Sequence, residues 1–348
     1  MAFSSFSSIN SNVKKSSKAA VKQPTKSILS VASTNIFAIS RNGQSIIHVA
    51  NDGSRTVNVS TDYGETFTKK TNYPYFYSTY SSLRISNNGD YIMMGSSQNG
   101  TGNYMYISKD GGVIWNLCLF NNQSNVPAIW GDMSDDGSYM YVLIQQNTSA
   151  GMWKSTDNGS TFTRVNSSAS NNMDATVSPD GRYLSFLTYN SAYLMLSYDF
   201  GTTWVQTSNS GLNFGGQGIY MSGDTFNIFS FGDNKFGLWN ITQVWTSTNY
   251  AGTWTSTPTD VMTSIGSISN DDRRMAINND GTKFYVMKNN KEIWVSTDKL
   301  KTTNNFTKLT STSITSTNKM VASRNCKYIL TSTGTILYLT TQDDVVET

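Results

Sequence analysis

Acidic side chains recur along this chain at a fixed place in a short motif. Ser60 and Asp62 open STDYGETF (60–67), and Ser108 and Asp110 open SKDGGVIW (108–115). Ser155 and Asp157 open STDNGSTF (155–162), and Ser197 and Asp199 open SYDFGTTW (197–204). Two divergent copies follow: STNYAGTW (247–254), which keeps Ser247 and Trp254, and STDKLKTTNNF (296–306), which keeps Ser296 and Asp298. A carboxylate two residues after a hydroxyl and two before a glycine suits either an acid–base centre or a hydrogen-bonded turn. In the turn, Ser and Asp bind backbone groups, while Gly64, Gly112, Gly159 and Gly201 adopt a φ that other residues resist. The closing aromatic, such as Trp204, then packs between sheets. Decay of the motif separates the two readings. Asn249 stands where Asp is expected, Ala251 and Leu300 where Gly is expected. A scaffold tolerates such losses in one copy; six catalytic centres would not. The motif reads as scaffold.

Other reactive groups are sparse. Glutamate occurs only at Glu65, Glu292 and Glu347, and His48 is the single histidine, set in a strand-like run. Cys118 and Cys326 are far apart and no metal-ligand spacing exists, so neither a disulfide framework, a metal nor a cofactor is expected. Outside the repeated turns, Asp132, Asp174, Asp233 and Asp260 are the carboxylates left for a hydrolytic pair. Binding candidates lie in irregular links. NYPYFYSTYSS (72–82) concentrates Tyr73, Tyr75, Phe76, Tyr77 and Tyr80, rings suited to sugar stacking or a protein interface, or else to packing between sheets. The long link 257–274 ends in Asp271, Asp272, Arg273 and Arg274, either a binding cluster or a self-neutralising solvated one.

The elements that would position these residues follow from a second signature. ISRNG (39–43), ISNNG (85–89), MSDDG (133–137), VSPDG (177–181), MSGDT (221–225), INNDG (277–281) and ASRNC (322–326) recur every 44 to 56 residues. Asn-Gly and Asp-Gly dipeptides supply tight hairpins, and alternating runs such as YLSFL flank them. Four short strands per period in the forties is the pattern of one β-propeller blade. Seven hairpin turns but six acidic motifs leave the last unit one strand short, and SILSVAS (27–33) is the segment available to complete it. The expected fold is all-β, a seven-bladed propeller closed by an N-terminal strand in the last blade; six blades plus a cap is the alternative. The domain plan is a polar basic tail at 1–26, one propeller at 27–342 and a short C-terminal tail at 343–348.

The pattern S-x-D-x-G-x-T-W/F resembles the Asp-box, or BNR repeat. Sialidases, sortilin-type receptors, several glycoside hydrolases and the photosystem II assembly factor family share it. The resemblance implies a propeller whose boxes are turns between the third and fourth strands of each blade. It implies no single chemistry, since these families differ. A sialidase would need an arginine cluster, a Tyr–Glu nucleophile pair and an acidic proton donor. The arginine motif is absent, and no glutamate falls on the irregular face opposite the turns.

Composition narrows the partners. Only 14% of the 348 residues are charged, and the net charge is +3, much of it in the tail. That argues against a nucleic-acid groove. No apolar run reaches the roughly 18 residues of a membrane span, and the N-terminus lacks the apolar core of a secretory leader. Wealth in Ser, Thr, Asn and Tyr resembles external proteins of viruses and phages. The expected function is a non-enzymatic binding or assembly propeller with protein partners or self-assembly. A glycan-binding module and a glycoside hydrolase are the alternatives.

Overall fold

In this computed structural model, the structure describes residues 25–31, 36–50, 54, 56–71, 82–98, 102–120, 122, 126, 128–144, 148–167, 172–188, 194–207, 218–221, 228–232, 243–247, 253, 255–256, 275–278, 282–288, 292–296, 306–308, 320–333 and 335–341. Their strands form seven four-stranded sheets. Strand β1 (Thr25–Ser30) belongs to the last of these. Sheet 1 holds β2 (Ile36–Ile39), β3 (Ile46–Val49), β4 (Thr56–Ser60) and β5 (Thr68–Thr71). Sheet 2 holds β6 (Leu83–Ile85), β7 (Ile92–Gln98), β8 (Gly102–Ser108) and β9 (Trp115–Leu117). Sheet 3 holds β10 (Ala128–Met133), β11 (Met140–Ile144), β12 (Gly151–Ser155) and β13 (Thr163–Asn166). Sheet 4 holds β14 (Asn172–Val177), β15 (Leu184–Thr188), β16 (Leu194–Ser197) and β17 (Val205–Thr207). Sheet 5 holds β18 (Gly218–Met221), β19 (Ile228–Gly232), β20 (Gln243–Ser247) and β21 (Thr255–Ser256). Sheet 6 holds β22 (Met275–Ile277), β23 (Phe284–Lys288), β24 (Glu292–Ser296) and β25 (Phe306–Lys308).

In sheet 7 the order is β1–β28–β27–β26, with β26 (Met320–Ala322), β27 (Tyr328–Ser332) and β28 (Ile336–Thr341). The chain's beginning therefore lies antiparallel to its end, with Thr25 opposite Thr340 and Ser30 opposite Ile336. First strands neighbour one another around the molecule, from β2 to β6, β10, β14, β18, β22, β26 and back to β2. The fold is an all-β propeller.

The hairpin turns explain why strands stop where they do. Ser40 Oγ donates to Asn42 Oδ1 at 2.7 Å and accepts the Ser45 N–H at 2.9 Å, so one hydroxyl closes both ends of the turn. Ser86, Ser134, Ser178 and Ser323 repeat this, each accepting the N–H of a tyrosine five residues on. Asn278 replaces Ser in INNDG, and its side-chain oxygen takes the Lys283 N–H at 2.7 Å instead. That tyrosine then covers the next sheet's turn. A Cβ on Gly137 would stand 2.5 Å from the Tyr91 ring, and Gly137 has φ +74.

Between sheets lie the cores. Ile36, Ile47 and Val57 of sheet 1 pack on Leu83, Ile92 and Met94 of sheet 2. Met93, Met105 and Ile107 pack on Met133, Met140 and Val142 of sheet 3. Because each sheet is covered on both faces, inner strands carry little polarity outward: β11 is buried at every position. Alternation in YLSFL marks no solvated face, since Ser185 is as buried as Leu184 and Phe186. His48 is also fully buried, with Nδ1 3.2 Å from Asn58 Nδ2 on the neighbouring strand.

Candidate functional site

The acidic motifs fold as closed turns. In the first, Ser60 Oγ donates to Asp62 Oδ1 at 2.7 Å and accepts the Gly64 N–H at 2.9 Å. Asp62 then accepts the Thr66 N–H at 3.0 Å and the Thr66 hydroxyl at 2.6 Å. Asp157 and Asp199 repeat both contacts with Thr161 and Thr203. The Thr66 hydroxyl and N–H hold the Asp62 carboxyl at about 2. Burial works against ionisation at Asp157, but the Thr161 N–H, the Ser155 hydroxyl and the Thr161 hydroxyl outweigh it and hold that carboxyl at about 2 as well. These carboxylates are committed to their own turns. Gly112, Gly159 and Gly201 take φ of 90°, 79° and 78°. Sequence reasoning missed the preceding position, where Tyr63, Asn158 and Phe200 are also left-handed at 59°, 57° and 59°.

The two families of turns share one face. The N–H of Tyr63 donates to Gln44 O at 2.9 Å and that of Phe200 to Arg182 O at 2.9 Å, each joining the acidic turn to the hairpin turn of its own sheet. Ser247 and Ser296 are buried like their equivalents. Trp254 and Asp298 lie outside the described residues, as do Tyr73, Tyr75, Phe76, Tyr77, Tyr80, Arg273 and Arg274.

On the same face, at the inner ends of the first strands, charges meet from different sheets. Arg41 extends from sheet 1 across to sheets 3 and 4. Its Nη2 reaches Asp132 Oδ2 at 2.9 Å and Val177 O at 3.2 Å; its Nη1 reaches Asp135 Oδ1 at 3.1 Å and Met133 O. Arg324 of sheet 7 donates to the same Val177 O at 2.9 Å, and Arg84 Nε of sheet 2 lies 3.6 Å from Asp132. Backbone bonds link neighbouring turns beneath: Arg324 N to Arg41 O at 2.7 Å, Asn87 N to Asp135 O at 2.9 Å, and Asp135 N to Pro179 O at 2.7 Å. Pro179 has no N–H to continue the series. The cluster draws sheets 1, 2, 3, 4 and 7 together at this end. It also removes Asp132 from the carboxylates free for hydrolysis, since both its oxygens face guanidinium groups.

A second feature lies at the outer edge of sheet 2. Val113, Ile114, Leu117 and Leu119 are 50%, 62%, 41% and 52% exposed and follow one another along the acidic turn and β9. At the first two positions the other turns carry Glu65–Thr66, Ser160–Thr161 and Thr202–Thr203. Ile114 has no hydroxyl to give Asp110, which binds only backbone N–H groups there, at 3.0 Å from Val113 and 2.9 Å from Ile114. The outer strands β5 and β13 carry charge, Lys69 and Lys70 on the first and Arg164 on the second, whereas β9, like β17 and β21, carries none. Charge on an edge strand guards it against pairing with another chain; β9 is unguarded. Among the described residues no cluster of His, Cys, Asp and Glu could hold a metal, and no helix is long and apolar enough to cross a membrane.

No protein-family model matches the chain, and no curated protein sequence matches it. Solved structures do. YCF48 bound to a D1 peptide superposes with TM-score 0.60 at 11% identity, over 94% of this chain and 98% of that one. Kuenenia stuttgartiensis hydrazine synthase gives 0.59 at 11%, over 94% and 99%. The GH74 xyloglucanase from Xanthomonas campestris gives 0.55 at 12%, over 87% of this chain and 51% of that one. All three are β-propellers, and at such identities the likeness is one of fold.

Proposed function

We propose that this chain is a seven-bladed Asp-box propeller, its closing strand starting at Thr25, that acts as a non-enzymatic binding and assembly module. Its docking surface is the outer edge of sheet 2, and its partner presents a short, extended, apolar peptide segment. The observation that carries the reading is the uncharged strip Val113, Ile114, Leu117 and Leu119. Contiguous apolar exposure of this kind marks interaction sites on soluble proteins. At the turn it also sacrifices a hydroxyl–carboxylate bond that three sister turns keep. A scaffold gains nothing from either change, whereas a docking edge gains from both. An edge strand takes an extended peptide through main-chain hydrogen bonds and side-chain contacts. That YCF48, a similar fold, was solved with a peptide bound supports this kind of partner.

The test is selection of a displayed library of random 12-residue peptides on the intact protein, with counter-selection on Val113→Glu/Ile114→Glu. Peptides with spaced aromatic and aliphatic residues should enrich on the wild type and be lost on the variant. Selected peptides indifferent to the variant, or no peptides together with a signal on a glycan array, would overturn the reading.

A further inference from the structure

Resting on that docking edge, we infer that its resident occupant is the chain's own N-terminal segment, with Phe3 and Ile9, on one side of an extended strand, seated on Val113, Ile114, Leu117 and Leu119. The strip exposes on the order of a few hundred Å². A stable interface between two copies needs about 800 Å² from each. The strip is therefore too small to hold a second propeller but matches a short peptide.

The chain supplies such a peptide. Residues 1–24 lie outside the described residues, and within them Phe3, Phe6, Ile9 and Val13 are spaced apolar groups among serines, with no acidic residue. The place where this segment joins the fold points it toward the strip. Thr25 pairs with Thr340 at the end of β28, on the face that carries the turns. Lys26 contacts Glu65 of the first acidic turn, and Ile28 lies against Gly64 of the same turn. The segment thus enters beside sheet 1, one sheet from the strip and on the same face. Twenty-odd extended residues span about 70–80 Å, while a globule of this length is about 50 Å across. Reach is not limiting. A tethered segment is present at about millimolar effective concentration, so docking on its own propeller precedes docking on another copy. An external partner must then displace the segment, which makes the N-terminus a built-in competitor for the docking edge.

Thiol labelling tests this directly, because Cys118 and Cys326 are both buried and burial pushes the Cys118 thiol up to about 12. Ile114→Cys is made in the full chain, with and without Phe3→Ser/Phe6→Ser/Ile9→Ser. A Thr202→Cys chain, labelled at the equivalent exposed turn of sheet 4, serves as reference. Labelling at position 114 should be at least fivefold slower with the native tail than with the serine variant, with position 202 unchanged. Equal rates at 114, or equal slowing at both positions, would overturn the inference. Protection that rises with protein concentration would assign the segment to a second copy and overturn it too. None of these outcomes touches the peptide selection: an edge that is never covered by the tail and still binds library peptides leaves the proposed function standing.

Discussion

Arg41 performs at one position what a repeat cannot do by itself. It ties sheet 1 to sheets 3 and 4 through Asp132, Asp135, Met133 O and Val177 O. Both ends of the Arg41–Asp132 pair are shielded, with side chains 17% and 11% exposed. Removing Arg41 leaves Asp132 with Arg84 alone, 3.6 Å away, and strips Asp135 of its ion pair, at a cost of about 3 kcal/mol. Arg41→Met should therefore lower stability in urea unfolding by about that amount, and Arg41→Met/Asp132→Leu should recover only part of it, since Asp135 and Arg84 then lose their ion pairs. The sequence hid this contact because its partners lie 91 and 136 residues away. One signal was available: Arg41, Asp135 and Arg324 occupy the same place in their turns, so a ring symmetry brings opposite charges face to face. Ile114 is the other informative residue. Ile114→Thr restores the hydroxyl that Asp62, Asp157 and Asp199 receive, and should raise stability by about 1 kcal/mol. The same change should weaken binding of selected peptides, a trade of function for stability read by paired melting and titration experiments.

At the scale of elements, the turns set the energetics. Gly137→Ala forces an L-residue to φ +74 and drives a Cβ to 2.5 Å from the Tyr91 ring. The backbone part alone costs about 1–2 kcal/mol, and the ring must also move, so thermal unfolding should shift down by several degrees. Gly111→Ala is the contrast, since its Cβ would meet only Gly89 O at 3.5 Å and the loss should stay near the backbone part. The acidic turns give a pH dependence with a definite sign. Asp62 and Asp157 are depressed to about 2 in the folded chain, below the ordinary value near 3.9. Their contribution is present in full above about pH 4 and is lost as pH falls toward 2. Asp62→Asn/Asp157→Asn should flatten the urea midpoint across that window. Strand order and both turn families were legible because each turn needs Ser, Asn or Asp, and Gly at fixed places. The second left-handed position was not, since Tyr63 and Phe200 carry no such signature and only Asn158 is of a type that favours it.

At the scale of the molecule, the missing fourth strand of the last unit was readable as a deficit. β1 pairs with β28, starting at Thr25 rather than Ser27. The docking edge was not read from sequence. Val113 and Ile114 stand where sister turns carry Glu65–Thr66, Ser160–Thr161 and Thr202–Thr203, and only their exposure beside Leu117 and Leu119 marks them as a surface. Candidates on the irregular face, from Tyr73 to Tyr80 and Arg273 with Arg274, fall outside the described residues. The central claim is that the outer edge of sheet 2 is where this propeller binds. Hydrogen–deuterium exchange on the Phe3→Ser/Phe6→Ser/Ile9→Ser chain, whose strip the tail no longer covers, with and without a library-selected peptide, tests it most directly. The account predicts new protection confined to residues 113–119. Protection at the Arg41–Asp132 cluster instead, with 113–119 unchanged, would contradict it.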